Sequence, residues 1–164
     1  MCGIVGYSGK DDAAEKIYRG LKKLEYRGYD SAGIATAGNP TVKVEKGTGT
    51  IDEAIDSISE AEIDGNVGIG HTRWATHGGV TDYNAHPHKS SSGDIAVVHN
   101  GIINNYEELK EEHLSDHDFR SETDTEVIPR LIEEKYEELD DFHKAVEAVV
   151  DMLEGSYAVV AIKE

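Results

Sequence analysis

The apolar positions of this chain fall into short runs and helical stripes that follow one another without a fixed order. Ile4–Tyr7 is an apolar run stopped by Ser8-Gly9, as a buried strand would be. Asp11-Asp12 then opens a segment whose apolar residues, Ala13, Ile17, Leu21 and Leu24, have the spacing of one helix face. After a turn-rich break at Arg27-Gly28-Tyr29-Asp30, the runs Ile34–Ala37 and Val42–Glu45 flank Gly38-Asn39-Pro40 and predict a hairpin. Ile51, Ala54, Ile55 and Ile58 predict a second amphipathic helix, and Val67–Gly70 another strand. His71 to Ser92 shows no period and reads as a long loop, a kind of segment that often carries function. Ile95–Val98 predicts a buried strand ending at His99-Asn100-Gly101, and Tyr106–Leu114 a helix. Thr123-Asp124-Thr125-Glu126 has the spacing of a capping box, although Pro129 fits better if the helix begins near Ile128. Leu139–Leu153 predicts the last helix and Tyr157–Ile162 the last strand. Strands and helices do not alternate regularly and several strands pair as hairpins. The expected class is therefore layered α+β rather than a doubly wound parallel sheet. No internal repeat, linker or second domain is visible.

Composition narrows the setting. A chain of 164 residues suits one domain with a real core. No apolar run approaches the roughly 18 residues of a membrane span, and the start lacks the pattern of a signal peptide. A single cysteine cannot form an internal disulfide, so a cytoplasmic protein with no membrane partner is expected. Thirty-three acidic against 16 basic residues give a formal charge of −17, which repels nucleic acid and anionic membranes alike. The same charge fits a proteome adapted to high salt and an ordinary acidic protein equally. The acids cluster in Asp11–Glu15, Glu107–Glu112 and Glu133–Asp141, expected as solvated helix faces.

The candidate chemistry starts at that cysteine. Met1-Cys2-Gly3 places it directly behind the initiator, where removal of Met1 would leave one residue with a thiol and a free α-amine. An α-amine has a pKa of about 7.7–8.0, so it can serve as the general base of its own nucleophile. A retained Met1 would acylate that amine and block the base. Read by itself, a lone cysteine is more often a small buried hydrophobe. Four other segments bear on the choice. Arg73, in Gly68-Ile69-Gly70-His71-Thr72-Arg73-Trp74, is a planar fork suited to a carboxylate, or a solvated surface arginine. Asn100-Gly101 offers an amide beside a backbone N–H, the makings of an oxyanion hole, or an ordinary Asn-Gly turn. Asp124, in the first turn of a predicted helix, could hold an ammonium group or merely stabilise the helix. Tyr26 to Gly33 is a loop that could line a site. Together they describe a ligand with a carboxylate, an ammonium and an electrophilic carbonyl, which is glutamine. The histidines at 71, 77, 86, 88 and 99 have no familiar zinc spacing, His86-Pro87-His88 reads as loop structure, and Gly47-Thr48-Gly49 lacks the rest of a phosphate loop. No metal and no cofactor are expected.

The chain resembles the class II glutamine amidotransferases, of the N-terminal-nucleophile hydrolase superfamily, and most of all the glutaminase domains of glucosamine-6-phosphate synthases. The resemblance runs from residue 2 to about 162 and rests on CGIVGY at 2–7, EYRGYDSAG at 25–33, GIGHTRWATHG at 68–78, NAHPH at 84–88, HNGII at 99–103 and SETDTEVI at 121–128. It implies an αββα four-layer sandwich of two antiparallel sheets. It also implies Cys2 as nucleophile, Asn100 and Gly101 as oxyanion hole, Arg73 on the substrate α-carboxylate and Asp124 on its α-ammonium. Trp74, Thr76 and His77 match the loop that folds over glutamine, with Trp74 implicated in gating ammonia, and Arg27 and Tyr29 match a segment lining the site. The implied partners are L-glutamine and a sugar-phosphate isomerase domain in cis or in trans, with a homodimer allowed for the full enzyme. Because the family's glutaminase domain runs further, residues 1–164 are expected to be a glutaminase domain shortened at its C-terminus, with the isomerase domain absent. The amidophosphoribosyltransferases share the Cys-Gly start and the Asn-Gly pair, but Trp74 and Thr76-His77-Gly78 favour the synthase type. A truncated, inactive glutamine-binding module is the alternative from outside enzymology.

Overall fold

Period-two alternation decides which way each strand faces, and here it sends side chains into three separate apolar layers. The computed structural model describes residues 2–38, 40–55, 63–75 and 78–164. The first sheet holds β1 (Gly3–Ser8), β2 (Ser31–Gly38), β3 (Thr41–Thr48) and β4 (Val67–Arg73), in the order β1-β4-β2-β3. The second holds β5 (His88–Lys89), β6 (Ile95–Ile103) and β7 (Gly155–Lys163), in that order. All the pairings are antiparallel. Along β6, Ile95 and Val97 point to the helices on the outside, while Ala96 and Val98 point to the other sheet. The inter-sheet layer is completed by Ala35, Val42, Ile69 and Ile162. Helices α1 (Ala13–Leu24) and α2 (Ile51–Ala54) cover the outer face of the first sheet, with Ile17, Leu21, Ile34 and Ile51 fully buried between them. Helices α3 (Tyr106–His113), α4 (Val127–Leu139) and α5 (Phe142–Met152) cover the second through Leu109, Ile128, Leu131, Ile132 and Val149. The result is the αββα sandwich of two antiparallel sheets that the resemblance implied, in an α+β fold.

Most predicted elements stand where the pattern put them. Asp12 caps α1 by accepting the Glu15 N–H at 3.0 Å, and the hairpin pairs Ala37 with Val42. Asn39 at its tip, and Ile58 of the second predicted helix, lie outside the described residues. Four expectations need correction. First, the stretch from His71 is not all loop: β4 continues through His71-Thr72-Arg73, paired with β2 and β1, and His88-Lys89 forms β5. Second, there is no capping box at Thr123. Residues Asp124–Glu126 form a 3-10 turn ahead of α4, and the Glu126 carboxylate instead accepts the N–H groups of Arg120 and Ser121 and pairs with Arg130. Pro129 falls in the first turn of α4, where its missing N–H leaves no bond unmade. Third, the last helix does not begin at Leu139: that residue ends α4, Asp140 is left-handed at φ 51°, and α5 starts at Phe142. Fourth, Glu133 is not on a solvated face: its carboxylate accepts the N–H groups of Ser91 and Ser92, each at 2.8 Å.

The first sheet and α1 approach closely because β4 carries glycines beneath the helix. A Cβ built on Gly70 would run into Ile17 Cγ2 and lie 2.9 Å from Leu21 Cδ1, both belonging to fully buried side chains. Gly70→Ala is therefore expected to lower unfolding stability by about 1–3 kcal/mol through overpacking. Urea denaturation checks this, and an unchanged midpoint would show that α1 can lift off at no expense.

Candidate active site

The interior between the sheets changes from apolar to polar at one end, and the two strands that cross it do so in step. On β4, Ile69 lies in the inter-sheet layer, and His71 and Arg73 follow it on the same side. On β6, Ala96 and Val98 are followed by Asn100. Cys2 sits just ahead of β1, in step with Ile4. Where the apolar filling ends, a cavity of about 430 Å³ opens between Cys2, Arg73, Trp74, Asn100, Gly101 and Asp124, with Arg27, Ile102, Thr123, Thr125 and the histidines 71, 86 and 99 completing its wall.

Cys2 is half-buried and tied to both sheets. Its Sγ accepts the Trp74 N–H at 3.3 Å, just beyond the end of β4, and Asn100 Nδ2 from β6 donates to its main-chain oxygen at 3.3 Å. The Asn100 Oδ1 faces His71 Nε2 at 2.8 Å. Asn100-Gly101 is not a turn. Both residues stay in the β6–β7 ladder, opposite Ala158 and Tyr157. Gly101 has φ 131°, and a Cβ there would collide with the Ser156 carbonyl oxygen, so glycine is required on two counts.

Arg73 and Asp124 line the cavity with the thiol. Arg73 is buried at 4% exposure, with Nη1 donating to the Gly79 carbonyl at 3.1 Å. Burial lowers the pKa of its guanidinium, and the charges of Cys2, Asp30 and Asp124 oppose that shift. It remains a cation. Asp124 is in the 3-10 turn rather than in an α-helix, and its Oδ2 accepts the Ile103 N–H at 2.8 Å. The cavity thus presents a fixed cation and a carboxylate, together with a thiol and an amide.

The flanking loops brace one another. Arg27 lines the cavity and donates from Nε to the Tyr26 hydroxyl at 3.0 Å. Tyr29 stays outside the cavity wall but packs edge-on against Trp74, with ring centroids 5.4 Å apart. Thr76 and His77 lie outside the described residues. Asp30, which sequence reasoning passed over, holds the segment after β4: its N–H donates to Arg73 O at 3.1 Å and its Oδ2 accepts the Ala75 N–H at 2.8 Å. Asn84 and Glu122 do the same beyond it, meeting each other and Gly79.

The histidines read in the sequence only as candidate metal ligands or loop structure, with no sign that they would meet in the interior. His71, His86, His88 and His99 are all buried, with the first two rings stacked at 4.3 Å and the second and third edge-on at 4.7 Å. The Thr125 hydroxyl bridges His86 Nε2 and His99 Nδ1, each at 2.9 Å. Among the described residues no group of three or more His, Cys, Asp or Glu side chains is arranged to hold a metal. Burial pushes His71 down to about 4 and His86 and His88 well below the ordinary imidazole range. The signal that would have found His71 is the alternation Ile69, His71, Arg73, which carries the strand past Gly70.

The sequence matches the glutamine amidotransferase domain family over residues 55–163. It is 53% identical over 163 residues to the glutamine–fructose-6-phosphate aminotransferase (isomerizing) of Thermococcus kodakarensis, covering 99% of this chain and 27% of that protein. The protein of the same name from Staphylococcus aureus is 53% identical over 159 residues, covering 97% and 26%. The chain therefore spans about a quarter of the length of these curated relatives. Among solved structures, the allosteric regulatory enzyme of purine biosynthesis superposes with a TM-score of 0.84 at 30% identity, over 100% of this chain and 36% of that one. The glutamine phosphoribosylpyrophosphate amidotransferase from B. subtilis, complexed with ADP and GMP, gives 0.81 at 28%, over 99% and 35%. The two stacked antiparallel sheets are the N-terminal-nucleophile amidotransferase fold shared with these structures.

The buried histidines make stability depend on pH in one direction. Their folded pKa values lie below the ordinary value of 6.5, so between about 6.5 and 4 the unfolded chain binds more protons than the folded one. The stability is fully present above that window and is lost as the pH falls through it, each suppressed histidine adding about 1.4 kcal/mol per pH unit to the slope. Urea unfolding at pH 7, 6 and 5 should show a progressive loss, and a flat profile would mean that these imidazoles protonate in place.

Proposed function

This chain belongs to the glutamine amidotransferase domain family, and from that premise we propose that its cavity hydrolyses L-glutamine to glutamate and ammonia with Cys2 as nucleophile. The observation that carries this reading is the convergence on one cavity of the Cys2 thiol, the Asn100 amide, a buried cation at Arg73 and a carboxylate at Asp124. Arg73 and Asp124 hold the α-carboxylate and α-ammonium, leaving the side-chain amide to face the thiol. Once Met1 is removed, the α-amine of Cys2 takes the thiol proton, directly or through a water. The thiolate forms a bond to the amide carbon and the carbonyl electron pair moves onto oxygen. Asn100 Nδ2 has a second N–H besides the one given to the Cys2 carbonyl, and this donor together with the Gly101 N–H stabilises the oxyanion. The C–N bond then breaks as the Cys2 ammonium returns its proton to the leaving nitrogen. Ammonia departs, water adds to the thioester, and glutamate and the thiol are released.

We further propose that residues 1–164 serve as the glutaminase unit of a longer protein, with a sugar-phosphate isomerase domain in cis or in trans receiving the ammonia for amination of fructose 6-phosphate. Identity of 53% to the fructose-6-phosphate aminotransferases, against 28–30% to the purine-pathway structures, supports that acceptor over a phosphoribosyl one. No helix among the described residues is long and apolar enough to cross a membrane. A thiol that must stay reduced to react supports a cytoplasmic location. Trp74, 44% exposed at the mouth, together with Thr76 and His77, is proposed to close over bound glutamine.

Intact mass before and after treatment with 6-diazo-5-oxonorleucine tests the nucleophile. The expected result is a chain one methionine lighter that gains a single adduct, blocked by excess glutamine and absent from Cys2→Ala. Cys2→Ala should bind glutamine without hydrolysing it. Glutamine binding by the unsubstituted chain with no glutamate released and an unreactive Cys2 would establish the binding-module alternative. Asp124→Asn should raise the KM for glutamine about 10–100-fold, the worth of a hydrogen bond to a charged group. Steady-state kinetics check this, and an unchanged KM would remove Asp124 from the ammonium site.

A further inference from the structure

An asparagine amide presents either of two nearly isosteric ends, and only one of them helps an oxyanion. With NH₂ toward the developing negative charge it stabilises; with the oxygen there it repels. Two contacts bear on which end of Asn100 faces Cys2. One is its own bond to the Cys2 carbonyl at 3.3 Å, long for a hydrogen bond. The other is the shorter contact of Oδ1 with His71 Nε2, at 2.8 Å. The same nitrogen lies 3.1 Å from the His99 carbonyl oxygen. Both neighbours can only accept, so Nε2 carries the imidazole proton.

The His71 ring stacks on His86, but its second nitrogen gains nothing from burial. The ring is 1% exposed and its Nδ1 has no hydrogen-bond partner among the described residues. Leaving such an atom unsatisfied costs about 1–3 kcal/mol, so an aliphatic side chain would suit this position better if filling space were its task. What the histidine supplies instead is one N–H, reaching from β4 in the first sheet to β6 in the second.

We propose that His71 is the positioning residue of the oxyanion site: its Nε2–H holds the Asn100 carboxamide with the oxygen turned away from Cys2 and the NH₂ turned toward it. The inference rests on the reading that Cys2 attacks a carboxamide. His71 also borders the cavity, but in this role it acts through Asn100. Burial, which keeps the ring neutral at working pH, leaves a single proton to be placed, and the two carbonyl-type oxygens place it on Nε2.

The test compares His71→Leu with His71→Gln, whose terminal amide can reach the place of Nε2 and keep a donor there. Removing a whole oxyanion donor lowers kcat about 10²–10³-fold, and loss of its orientation should fall at or below that range. His71→Leu is expected to lower kcat for glutamine hydrolysis about 10–100-fold with KM little changed, because Arg73 and Asp124 still hold the amino-acid end. His71→Gln should recover most of the loss, and His71→Leu should do no further harm in an Asn100→Ala background. An unchanged kcat, a change confined to KM, or losses that multiply in the double variant would overturn the positioning role. Side-chain ¹⁵N NMR of the unsubstituted chain decides the matter without activity or a variant that folds. His71 protonated at Nε2 supports the inference and protonation at Nδ1 overturns it. Absence of hydrolysis from the unsubstituted chain, with the Nε2 proton in place, would count against the function alone.

Discussion

Everything in this molecule hangs on two antiparallel sheets stacked through a thin layer of small and branched side chains. Ala35, Val42, Ile69, Ala96, Val98 and Ile162 fill that layer, and the outer faces of the same strands are buried again beneath helices. A strand buried on both sides has no solvent face to spare for a site. The chain resolves this by letting the inter-sheet layer itself turn polar at one end, where Arg73, His71 and Asn100 continue the rows begun by Ile69 and Val98. The site is thus an unfinished part of the core, and its charged groups inherit the core's rigidity and low dielectric.

This explains why sequence reasoning saw the elements better than it saw the site. Alternation and helical spacing located most of the strands and helices, though not β5, because burial on a defined face leaves a period in the sequence. The motifs carried Cys2, Arg73, Asn100, Gly101 and Asp124 to attention, and the structure brings these five around one cavity. What stayed hidden was whatever depended on a distant partner. Glu126 has the spacing of a helix cap, but Arg130 and the backbone of residues 120–121 claim its carboxylate. Glu133 looks solvated among its acidic neighbours, and two serine N–H groups hold it. His71, His86 and His88 look like loop histidines until the loop is found to begin and end in paired strands. Asp30 resembles any turn residue, and only the fold shows that it fastens the segment carrying Trp74.

The electrostatics follow the same division. The 33 acidic residues are spread along the whole chain, with clusters on α3, on α4 and around the start of α1. The interior holds imidazoles that burial keeps neutral, together with hydroxyls, an amide and the hydrogen-bonded charges of Arg73, Glu126, Arg130 and Glu133. Surface acidity and site chemistry are therefore nearly independent features of this chain, one bearing on solubility and the other on the proposed reaction.

The two ties on Cys2 come from opposite sheets: the Trp74 N–H reaches its sulfur at 3.3 Å, and Asn100 Nδ2 reaches its main-chain oxygen at 3.3 Å, long for a nitrogen–oxygen pair. Cys2 consequently sits in a gauge that measures the spacing between the layers. A slight swelling, by heat or by a hole made in the inter-sheet filling, slackens both ties while every ladder within each sheet remains intact. A change in the surroundings of the Cys2 thiol on warming is therefore expected before any spectroscopic sign of lost secondary structure.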